Sequence, residues 1–151
     1  MTRLCALVVA VGALLLPAYA SADSVYHSEH LQLVAVGGAP LDHGFVENIH
    51  PNGPNVFAHE QYVLNGAAPN TTYTVTIHIT SLADTTCAAP FLNLDTASLT
   101  TNSAGNGSAS KVFTPADVGG LANSTIHAYW TVSSGGTVVY TTSCQTITLD
   151  S

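Results

Sequence analysis

Short runs of alternating apolar and polar residues fill most of the chain, and no long stretch carries apolar residues at helical spacing. The clearest run is Thr72–Ser81. Tyr73, Val75, Ile77 and Ile79 fall on one face, and Thr74, Thr76, His78 and Thr80 on the other. Such a run predicts a strand packed on one side and wet on the other. The Asn65–Asn70 turn feeds it, after a short strand at Gln61–Leu64. Ser98–Asn102 and Ser108–Phe113 flank a glycine-containing turn, which predicts a hairpin. Thr114–Val118 predicts one helical turn, with Thr114 as cap and Pro115 at its first position. Ile126, Ala128, Trp130 and Val132 alternate, Ser133–Gly136 turns, and Thr137–Leu149 returns. On the return, Tyr140 and Ile147 have opposite parity. A bulge between Thr142 and Thr146 would set both toward the core. Glu29–Val36 is the expected first strand. Many short strands separated by Gly, Pro, Asn and Ser predict an all-β sandwich of about seven or eight strands.

Gly37–Ala58 breaks the pattern. It holds Pro40, Pro51, Pro54 and four glycines, with no clean period. It is expected to be a long connection, and long connections often carry function. Its apolar and acidic residues, with those just after it, make Phe45, Glu47, Phe57 and Glu60 the candidate contact residues.

The first residues change the setting. Arg3 precedes an apolar run from Leu4 to Leu16, Pro17 breaks it, and Ala18, Ala20, Ser21 and Ala22 follow. This is the form of a secretory signal peptide, residues 1–22. Cleavage leaves residues 23–151 as one exported domain, secreted, periplasmic or held at the cell surface. The leader is too short for a convincing membrane span, and no later stretch approaches one. Cys5 leaves with it, so Cys87 and Cys144 remain and are expected to pair.

Charge narrows the partners. Without Arg3, nine Asp and Glu stand against Lys111 alone, a charge of −8 with histidines neutral. One cation releases few counterions, so nucleic acid is excluded, as is an anionic membrane surface. A protein or a wall polymer is the expected partner. Protonating all seven histidines near pH 5 would bring the charge to about −1.

Five histidines lie between His27 and His59. Imidazole with nearby carboxylate suits zinc or copper. His43, His50 and His59 are the candidate ligands. His27 and His30 are three apart and point to opposite faces of a strand. His59–Glu60 opens like a zinc-protease helix, but position 63 is Val63. No nucleophile elbow and no phosphate loop occurs. His78 and His127 are outward positions on two strands, and Trp130 is a core position.

Three segments between Tyr62 and Asp150 resemble small exported bacterial proteins with an immunoglobulin-like sandwich. These are Tyr62–Val75, Thr101–Ala109 and Phe113–Val118. The resemblance implies that fold and no activity. Copper–zinc superoxide dismutase also joins a loop cysteine to a late strand. Its His-x-His strand pair and its arginine have no counterpart here. The resulting expectation is a non-catalytic binding or structural module outside the cell, the alternative being an extracellular metal-binding protein.

Overall fold

The computed structural model describes residues 27–50, 58–114, 116–117, 120–121 and 124–149. The expected signal peptide and Phe57 lie outside these residues. The described residues form ten strands: β1 (His27–Gln32), β2 (Val34–Ala35), β3 (His43–His50), β4 (Ala58–Asn65), β5 (Thr72–Thr80), β6 (Leu92–Thr100), β7 (Gly107–Phe113), β8 (Ser124–Ser134), β9 (Thr137–Thr141) and β10 (Gln145–Leu149). All pairings are antiparallel. One sheet has the order β1-β3-β4-β7. The other has the order β2-β9-β8-β5-β6, with β10 also on β8. The fold is a two-sheet β-sandwich.

Besides β3, described below, two splits raise the strand count above the expected seven or eight. The first strand changes sheets at buried Leu33, so Glu29–Val36 becomes β1 and β2. The last strand is interrupted at 142–144, so β9 and β10 lie end to end along β8. The interruption resets the alternation and buries Tyr140, Ile147 and Leu149 together.

Two local expectations are corrected. Gly37–Ala58 is not a plain connection, because it contains β3. Gly44, Val46, Asn48 and His50 point inward, and polar Asn48 and His50 hide the period. Ser98–Phe113 is not a hairpin either. β6 ends in one sheet and β7 begins in the other, paired with β4. The turn between them packs against the turn before β5. Gly105 (φ 78°) accepts from the Ala67 N–H at 3.0 Å, and a Cβ there would fall 2.1 Å from the Ala67 carbonyl oxygen. Close approach and positive φ together require glycine. At Thr114 the chain turns around Asp117, whose carboxylate accepts from the Thr114 N–H and hydroxyl (2.8 and 2.7 Å). Those bonds hold the Asp117 carboxyl below its usual range.

The core fills the space between the sheets, with Trp130, Tyr62, Tyr73, Tyr140 and Leu64 among its largest fully buried side chains. Cys87, in the segment between β5 and β6, is bonded to Cys144 in the β9–β10 interruption, 57 residues away. β8 runs between β5 and the β9–β10 pair, so the disulfide passes over it. His127 of β8 lies beside the bridge. Its Nδ1 donates to the Asp84 carbonyl (3.1 Å), and its Nε2 meets the Thr146 hydroxyl (3.0 Å). The bridge fits an oxidising, extracellular setting. Among the described residues no helix is long and apolar enough to cross a membrane.

Candidate functional site

Strand alternation sorts the candidate residues onto two faces of the four-stranded sheet. On β3, His43, Phe45, Glu47 and Ile49 point outward; Val46, Asn48 and His50 point inward. On β4, His59, Gln61 and Val63 point outward; Ala58, Glu60, Tyr62 and Leu64 point inward. His50 therefore parts from His43 and His59. His43 also sits at the opposite end of β3, about 23 Å away at strand rise. The proposed set His43, His50 and His59 does not converge on one point.

A different set does converge. β1 runs antiparallel to β3 with His27 opposite His50 and Glu29 opposite Asn48. All four share the inner face at one end of the sandwich. Donor atoms of His27, Glu29 and His50 lie within 4.8 Å of one another. The His27 and His50 rings stack with centroids 4.6 Å apart, and His27 Nε2 lies 3.5 Å from Glu29 Oε1. The Asn48 amide nitrogen donates to Glu29 Oε2 (3.1 Å) and to His50 Nε2 (3.0 Å). Burial raises the Glu29 carboxyl above its usual range, against the opposing pull of His27. The signal available in the sequence was His-x-Glu on one strand and Asn-x-His on the next, each pair on one strand face.

Glu60 occupies the same inner face one strand further in, opposite Asn48. It is buried, which removes it from any contact surface; continued alternation of β4 sends it into the core. One oxygen accepts from the Tyr62 hydroxyl and from Trp130 Nε1, the latter at 2.9 Å. The Trp130 bond ties β8 to β4 across the sandwich. A space of about 20 Å³ beside them, lined in part by Asn48, His50, Ile77 and Ile126, has room for one water molecule. Loss of water pushes Glu60 up to about 7, although both donors favour its charged form. Burial and the neighbouring carboxylate push the Tyr62 phenol up as well.

This acid makes stability depend on pH. Between pH 4.5 and about 7 the folded chain holds a proton on Glu60 that the unfolded chain has released. That stabilisation is full below pH 4.5 and is lost as pH rises through 7, by about 3 kcal/mol. Urea unfolding at pH 5 and pH 8 checks it. Glu60→Gln should flatten the difference and make the chain more stable at pH 8.

The outer face is of another kind. Phe45 packs on His30 and His43, with ring centroids 4.6 and 5.6 Å away. Val63 lies opposite Phe45, His59 opposite Ile49, and Val112 opposite His59. Glu47 accepts from His30 Nδ1 at 2.6 Å. An open depression lies over Gln61, Val63, Ser108 and Ser110. On the other sheet, Val34 and Val36 in and beside β2 are exposed, while the middle of the outer face is hydrogen-bonded within itself. Thr76 bonds Asp95, Thr72 bonds Thr100, and His78 bonds Asn93 and Thr131. His78 stacks on Tyr129, its neighbour across β8, rather than meeting His127. No protein-family model matches the chain, and no curated protein and no solved structure matches it.

Proposed function

We propose that residues 23–151 form an exported, immunoglobulin-like module that acts without catalysis, secreted or held at the cell surface. Its contact surface is the outer face of β1-β3-β4-β7, and its partner is a protein or a wall polymer. The contrast between the two outer faces supports this reading. Across β5, β6 and β8, one bonds its Thr and His side chains to its own Thr, Asn and Asp neighbours, with exposed Val34 and Val36 apart from them at the β2 edge. The other sets Phe45, Ile49, Val63 and half-exposed Val112 among His30, His43 and His59. Branched and aromatic carbon beside imidazole is the mixture that loses water readily on contact and still hydrogen-bonds. Within the 37–60 region, Phe45 and Glu47 belong to this face.

The test is retention of fluorescently labelled chain on envelopes isolated from its own cells, with self-association followed by sedimentation. The chain should be retained or should self-associate. A Val63→Glu, Val112→Glu double variant should lose at least about tenfold of that affinity, since it places charge in the apolar centre. Thr74→Glu on the other sheet should not. Equal behaviour of the two variants, or a monomer that envelopes never retain, contradicts the reading.

A further inference from the structure

We propose that His27, Glu29 and His50 bind one divalent ion of the zinc type at the open end of the sandwich. The donor set is the first argument. Two imidazoles and one carboxylate suit Zn²⁺ and are a poor match for Ca²⁺ or Mg²⁺, which want oxygen ligands. Geometry is the second. A tetrahedral zinc with ordinary bond lengths asks its donors to stand about 3.3 Å apart. His27 Nε2 and Glu29 Oε1 are already 3.5 Å apart, and the whole set fits within 4.8 Å. Small side-chain rotations close the remainder, because the antiparallel register fixes all three Cα positions.

Asn48 joins two of the ligands as well: its two amide N–H groups go one to Glu29 Oε2 and one to His50 Nε2. That amide gives the pair the positive end of a dipole where an ion would give a full charge. Once the ion binds, Asn48 retains its bond to the outer carboxylate oxygen and acts as a positioning residue. Three protein ligands leave a fourth position for water or for a donor from a partner. His27 and Glu29 are each 25% exposed, so an ion reaches the site from solvent without unfolding the core. The site is on the inner face and does not depend on the contact surface proposed above.

The test is titration of the untagged chain with Zn²⁺, and with Co²⁺ for its visible absorption. One ion per chain is expected, with imidazole-type Co²⁺ bands and no competition from excess Ca²⁺. His27→Ala and Glu29→Gln should each weaken Zn²⁺ binding at least about tenfold. Both side chains are partly exposed, so both variants should keep the wild-type circular dichroism, where buried His50 is a riskier choice. His43→Ala and His59→Ala on the outer face should bind as wild type. Failure to saturate at one ion, or binding that survives His27→Ala and Glu29→Gln, overturns the proposal. So does binding lost with His43 or His59, which would move the site to the outer face.

Discussion

Replacing Trp130 with alanine will destabilise the chain by about 4 kcal/mol or more. Trp130 is fully buried at the centre of β8 and reaches across to the other sheet. Removing it leaves a cavity that flanking strands, fixed by their own ladders, fill only in part. It also takes one donor from Glu60 and leaves a buried carboxyl less well satisfied. For a domain of this size the melting temperature should fall by roughly 15 °C. Trp130→Phe separates the two causes. It keeps most of the ring volume and loses the indole N–H, so it should cost about 1–2 kcal/mol. Trp130 is the only tryptophan, so circular dichroism replaces fluorescence as the probe. Trp130→Ala and Trp130→Phe losing equal stability would contradict the packing argument.

The second large effect is expected at the disulfide. A double Cys87→Ala, Cys144→Ala variant frees a loop of 57 residues in the unfolded chain. The chain-entropy estimate for that length is about 4 kcal/mol. Reducing the wild-type protein should give the same loss, measured by urea midpoint. The fold itself should survive, because the hydrophobic cluster around Trp130 includes neither cysteine. A loss below about 1 kcal/mol would mean that hydrogen bonds already hold the 81–91 segment, such as that from His127 to the Asp84 carbonyl.

The strands clearest in the sequence are those whose inner positions are all apolar. β5 follows its alternation from Tyr73 to Ile79, and the β8–β9 hairpin turns at Gly135 and Gly136, both at positive φ. The bridge between Cys87 and Cys144 was legible as the pair left once the expected leader takes Cys5 with it. β3 was hidden by the same residues that make the inner site: Asn48 and His50 face inward and break the hydrophobic period. Glu60 did the same to the start of β4. Pairing partners were invisible as well. Local turn chemistry at 103–107 reads as a hairpin, but whether a turn stays in one sheet depends on what it packs against, here Ala67. The His27–His50 juxtaposition is set by the β1–β3 register across 22 intervening positions, which no spacing rule carries.

Export with oxidation is the claim on which the setting of the proposed contact surface and of the proposed metal site depends. Intact mass of the chain recovered from outside the cell, before and after reduction, tests it in one measurement. The account predicts a chain starting at or just after Ser21 that gains two hydrogens on reduction. A full-length chain found inside the cell, with its thiols already reduced, would contradict it.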